Sequence, residues 1–95
     1  MNSKNALGLL EVDGVCAAFA AVDMAAKAGD ISIESIERTR QGSNVCIKLR
    51  GDVSSVQAAI EAGEEVGAKV SRVVHSSVIA APTEEIEKML LYSDI

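Results

Sequence analysis

The sequence predicts an α+β domain: a four-stranded antiparallel sheet with helices on one face and a short C-terminal helix. Three observations carry this. Several short runs alternate apolar with polar residues, the period of strands with a buried face. Two longer stretches repeat their apolar residues at helical spacing. The order is strand, helix, strand, strand, helix, strand, then a terminal helix. Two strand–helix–strand halves of similar length make the split βαβ, ferredoxin-like βαββαβ plan.

The first strand is "ALGLLEV" (6–12). Asp13-Gly14 then turns the chain into the helix "GVCAAFAAVDMAAKAG", which stops at Gly29, a residue common at helix ends. "ISIESIERT" (31–39) starts as an alternating strand, and the slip from Ile31 and Ile33 to Ile36 predicts a bulge. "RQGSN" is a hairpin tip. In the next strand Val45, Ile47 and Leu49 alternate with Cys46, Lys48 and Arg50, the period of a strand with one buried face. The second helix runs from about Val53 to Gly67, with Val56, Ile60 and Gly63 inward and Gln57, Glu61, Glu64 and Glu65 outward. "KVSRVVHSSVI" is the last strand. Pro82 and Thr83 lead into "EEIEKMLLY", whose early glutamates suit a helix N-terminus.

The first helix is apolar on more than one face. Val15, Phe19, Val22 and Ala26 suit the domain's own core. Cys16, Ala17, Ala20, Ala21 and Met24 leave the other flank almost without charge, which predicts burial against a second subunit.

Arg50-Gly51-Asp52 spells a tripeptide that adhesion proteins display on loops. Here it joins a strand to a helix, with Asp52 at the N-cap position and Gly51 supplying the tight turn. A rigid junction is no adhesion loop.

Ninety-five residues form one small domain, of a size that buries about 60–65% of its unfolded surface. Phe19 and Tyr92 are the only aromatic residues, which argues against base stacking or sugar recognition. A net charge of −5 argues against nucleic acid and anionic membranes as partners. No apolar run is long enough to span a bilayer and "MNSKNALG" lacks signal-peptide architecture, so a cytoplasmic protein is expected. Cys16 and Cys46 lack metal-ligand spacing and read as small buried hydrophobes. His75 is the only histidine and has no partner at motif spacing. The glutamates at 64–65 and 84–87 read as solvated charge. There is no P-loop or dinucleotide glycine pattern, so no enzyme, cofactor or metal is expected.

Three stretches carry a resemblance. "ALGLLEVDGVCAAFAAVDMAAKAG", "RGDVSSVQAAIEAG" and "VIAAPTEEIEKML" resemble, in order, the opening, middle and closing motifs of bacterial microcompartment shell proteins of the single-domain, hexamer-forming type. The likeness runs from Ala6 to about Leu90. It implies flat homohexamers that tile with other shell proteins around encapsulated metabolic enzymes. It also implies a central pore for small polar or anionic metabolites, where six copies of the second hairpin converge. Arg40, Gln41, Gly42, Ser43 and Asn44 take the pore position: Gly42 and Ser43 match the family's "KIGSGL" hairpin, and Arg40-Gln41 lengthens it. Lys27 matches an edge lysine that packs across the seam between hexamers. Asp30 replaces an edge asparagine, and Ala81 replaces the arginine of a closing "PRPH", so weaker tiling is expected.

Two further readings stand beside this one. A small regulatory domain could bind an effector between subunits, although no glycine-rich ligand loop is present. Alternatively, Cys46, only a few residues beyond the hairpin tip, could hold a metal cluster at the pore of an electron-conducting shell protein.

Overall fold

A computed structural model of the chain describes residues 6–39 and 42–92. The elements follow the expected order: β1 (Ala6–Asp13), α1 (Val15–Ala28), β2 (Ile31–Arg38), β3 (Asn44–Gly51), α2 (Val53–Val70), β4 (Val73–Ile79) and α3 (Glu84–Tyr92). The sheet runs β2-β3-β1-β4 and every neighbouring pair is antiparallel. The ferredoxin-like prediction stands. One boundary differs: α2 continues past Gly67 to Val70. Gly67 is a packing residue against Val12 and Val73, not a stop.

Alternation sorts the strand residues. On β1, Ala6, Gly8, Leu10 and Val12 face the helices, and a side chain at Gly8 would meet Leu49, Val56 and Ile60. The expected slip in β2 is present, with the register against β3 shifting between Ile33 and Ser35. Glu34 is the extra residue, and Ile36 returns to the face of Ile33, opposite Ile47. Asp52 caps α2 as expected, its Oδ1 accepting from the Ser55 amide at 2.8 Å.

Strand β3 departs from the one-faced expectation. It lies inside the sheet, and Lys48 is only 2% exposed and Cys46 7%. A lysine survives there because Glu37 of neighbouring β2 brings its Oε2 to 2.9 Å from Nζ. Ser35 braces the same oxygen with a 2.8 Å hydrogen bond. The contact is an ion pair without an aligned hydrogen bond, so its attraction offsets desolvation and little more.

The largest correction concerns α1. Ala17, Ala18, Ala21 and Ala25 form its buried face, while Phe19 is 61% exposed and Val15, Met24 and Ala26 are also exposed. Val15, Phe19 and Ala26, expected in the core, face outward, and Ala17 and Ala21, expected at a subunit contact, face inward; Val22 packs on the core, and Cys16 and Met24 lie on the outer flank, as expected. The reason is spacing: α1 packs against α2 so closely that only small side chains fit between them. A Cβ on Gly63 of α2 would stand 2.9 Å from Leu10 Cδ2 and 3.4 Å from the Ala21 carbonyl oxygen. Bulky residues are therefore driven outward.

The same closeness explains Gly29. Its φ of −147° is extended backbone, not the left-handed conformation of a typical glycine stop. What it requires is space, since a Cβ there would lie 2.4 Å from the Ser55 carbonyl oxygen. Gly51 is likewise tight, not left-handed: its Cβ would stand 2.9 Å from Ile31 Cγ2.

These contacts set a test of the packing. Gly29→Ala relieves no backbone strain and gains only the small entropic benefit of a stiffer unfolded chain. It forces a methyl group against a backbone carbonyl that cannot swing away. The variant should lose about 1–3 kcal/mol in chemical denaturation, the usual cost of overpacking. A variant as stable as the parent would mean that α1 and α2 do not approach this closely.

Candidate functional site

Antiparallel pairing decides which turns share an end of the sheet. Asp13 of β1 pairs with Asn44 of β3, so the β1–α1 turn stands beside the β2–β3 hairpin. The hairpin is closed by Thr39, whose amide and Oγ1 both donate to the Asn44 carbonyl, at 3.0 and 3.2 Å. Gly42 takes the turn with φ +76°. The Gly14 amide donates to the Ser43 carbonyl at 2.8 Å, and Ser43 Oγ donates to Asp13 Oδ1. The Asp13 amide donates to the Arg72 carbonyl at 2.9 Å, and Arg72 Nη2 lies 3.7 Å from Asp13 Oδ2. Three turns are thus joined at one end.

Among the sequence-predicted pore residues, Gly42, Ser43 and Asn44 lie together in this cluster. Arg40 and Gln41 fall outside the described residues. Lys27, Asp30 and Ala81 lie at the opposite end. There Ala6 and Ile31 both pair with Gly51, and β4 finishes at Ile79 opposite Leu7. Strands of eight residues put the two ends about 20–25 Å apart. All three residues are exposed, and Lys27 makes a surface ion pair with Asp23 at 2.8 Å.

The predicted subunit face requires correction. Ala17 and Ala21 are 1% and 0% exposed within the single chain, so they have no surface left for a neighbour. Ala20 is half-buried and Met24 exposed. Among the described residues an apolar groove of about 400 Å³ lies beside the hairpin end, lined by Val15, Ala18, Phe19, Ile36, Arg38 and Val45. Sequence reasoning missed this groove, and it missed Asp13 and Arg72. Asp13 becomes visible only once β1 is paired with β3.

The adhesion-like tripeptide is fully engaged. Arg50 Nη1 and Nη2 hold both oxygens of Glu87 at 2.9 and 2.5 Å, and Nε holds Glu34 at 2.6 Å. Burial alone would lower the arginine's proton affinity, but these two carboxylates outweigh it and raise it. One guanidinium thereby ties α3 and the β2 bulge to the sheet. His75 is exposed on β4, opposite Glu11. Among the described residues no three His, Cys, Asp or Glu side chains gather as a metal would need, and no helix is long and apolar enough to cross a membrane.

A family model described as the BMC domain matches residues 6–82. The bacterial microcompartment shell protein PduK of Salmonella typhimurium is 41% identical over 87% of this chain. The chain spans about half the length of that relative (52%). The shell protein PduA of Citrobacter freundii is 34% identical, with 92% of each chain covered. The carboxysome shell protein CcmK2 of Synechocystis is 36% identical over 90% of this chain and 84% of its own length. A crystal structure of a microcompartment protein from Desulfitobacterium hafniense superposes with a TM-score of 0.76 at 21% identity, covering 85% of this chain and 43% of the other, which speaks to the fold alone.

Cys46 is the third residue of β3, inside the sheet and not on the hairpin tip. It pairs with Glu11 and Glu37 inside the sheet. Burial pushes its thiol above the ordinary range; nearby Lys48 pulls the other way, and Glu11 and Glu37 push it further up. The thiolate is the reactive form, so this cysteine should be inert in the folded protein. Iodoacetamide at pH 8 should leave Cys46 unmodified until denaturant is added, as read by peptide mass mapping. Rapid native labelling would place it at an open surface instead.

Proposed function

Because the chain belongs to the BMC-domain family, with close likeness to bacterial microcompartment shell proteins, we propose that it is a structural tile of such a shell. It assembles as a cyclic homohexamer, associates with other shell proteins around encapsulated enzymes, and passes small polar or anionic metabolites through a central pore. The observation that carries this reading is the apolar groove of Val15, Phe19 and Ile36 beside the hairpin. A contact made there by one neighbour in a ring draws the hairpins of successive copies toward a common axis. Lys27, Asp30 and Ala81, at the far end of the strands, then fall on the rim. This reading is supported by Gly42, Ser43 and Asn44 lying at one end of the sheet and Lys27, Asp30 and Ala81 at the other. Arg40, if carried on the axis side, adds a positive ring that attracts anions.

Two substitutions on α1 separate fold from assembly. Ala21→Glu buries a carboxylate between α1 and α2 and should unfold the chain. Phe19→Glu changes a side chain that the single chain leaves exposed, so helix content should persist in circular dichroism while native mass spectrometry shows loss of the hexamer. A Phe19→Glu hexamer as robust as the parent would remove the groove from the interface.

At the rim, Lys27→Asp should leave hexamers intact and abolish sheets in electron microscopy, and Ala81→Arg should enlarge them. Unchanged sheets in Lys27→Asp would take the lysine out of the seam.

A further inference from the structure

In an uninterrupted strand, residues three apart point to opposite faces of the sheet. Ile33 and Ile36 share a face because the β2 bulge inserts Glu34 between them, and Ile36 thereby lines the apolar groove with Val15 and Phe19. Glu34 takes no cross-strand partner in the register with β3, so its side chain is what anchors the bulge. That anchor is Arg50, whose Nε donates to Glu34 Oε2 at 2.6 Å. Arg50 lies on the face of the sheet away from α1 and α2, paired with Leu7. Helix α3 reaches the same face. Glu87 accepts from Nη1 and Nη2 of Arg50 with its two oxygens. On either side of Glu87, Ile86 and Leu90 are half-buried and one turn apart, while Met89 is exposed. One guanidinium thus joins the terminal helix to the bulge that sets the groove.

We propose that Arg50 is the positioning residue of the groove and α3 the strap that fixes it: with α3 docked, Glu87 orders the guanidinium, Arg50 holds Glu34 in the bulge, and Ile36 stays beside Phe19. This rests on the reading of the groove as the contact between copies, and adds how that contact is set from the other face of the sheet. Two effects make the three groups act together. A long arginine side chain loses rotamer freedom when it is fixed. The two bonds to Glu87 already impose that loss, so the bond to Glu34 forms with the side chain in place. Glu34 and Glu87 are also like charges, held at one site only because a cation lies between them. Lysine lacks the planar fork that serves both carboxylates at once. Release of α3 therefore loosens the bulge, and with it the groove. An outside contact that draws α3 off the sheet weakens the ring, and one that presses it down strengthens the ring.

The test combines hydrogen exchange with native mass spectrometry on the full chain. Glu87→Ala changes α3 alone, at a partly exposed position, and alanine is the better helix former. A loosened β2 in this variant cannot be traced to lost helix propensity. Amide exchange should rise by about tenfold or more at residues 85–90 and severalfold at 33–37, while residues 8–12 of β1 exchange as in the parent. Arg50→Lys should raise exchange at both segments, and Glu34→Ala should raise it at 85–90, because coupling between two sites is reciprocal. On dilution, all three variants should dissociate at a severalfold higher protein concentration than the parent. Unchanged exchange at either segment in Glu87→Ala overturns the strap. Raised exchange with an unchanged dissociation profile overturns its link to assembly. In that event, loss of the hexamer in Phe19→Glu keeps the groove as the contact, whereas a hexamer that also survives Phe19→Glu places the failure in the groove reading itself.

Discussion

The close approach of α1 to α2 is the constraint on which the rest of the structure depends. Ala17, Ala18, Ala21 and Ala25 form the inner face of α1, and Gly63 of α2 sits against Ala21 and Leu10 in the core that also holds Ala59 and Val12. Small side chains bury little apolar area each, and at about 25 cal/mol per Å² each contributes little, but they let whole backbones come together. Dispersion between close-packed surfaces then replaces what larger side chains would have supplied. A chain with almost no aromatic residues builds its core in this way. The cost is intolerance, because at Gly29 and Gly63 a single methyl group meets backbone or core atoms directly.

The same constraint creates the outer surface. Once alanines occupy the inner face of α1, Val15, Phe19 and Met24 have nowhere to go but outward. Phe19 and Val15 join Ile36, which the β2 bulge returns to the helix side of the sheet. The result is an apolar groove next to the hairpin on an otherwise acidic protein. The packed interior and the apolar groove are consequences of one arrangement of small and large residues along one helix.

Polar contacts then fasten what packing leaves loose. Arg50 holds the terminal helix and the bulge with one guanidinium, using the rigid fork that lysine lacks. Asp13 does the equivalent at the other end of the strands, where three turns meet. Neither tie lies in the main apolar core. Both act on segments at the two ends of the strands, away from the helix-covered core.

Much of this was legible in the sequence by itself. Periodicity was enough for the element order and sheet plan, the Ile33-to-Ile36 slip for the bulge, and Asp52 for the start of α2, because each depends on local spacing or a neighbouring amide. Motif likeness alone singles out the hairpin residues and Lys27, Asp30 and Ala81, and strand pairing sets Gly42, Ser43 and Asn44 at the opposite end of the sheet from those three. What only the tertiary structure decided was which face of α1 turns inward, why Gly29 and Gly51 are glycines, and that Lys48 is buried. Each of these depends on how near a distant segment comes. Apolar character along a helix says that a face is covered, but the distance to α2 decides whether alanine or phenylalanine fits beneath it. Asp13 likewise reads as a turn residue until β1 pairs with β3 and sets it against Ser43, a partner thirty positions away.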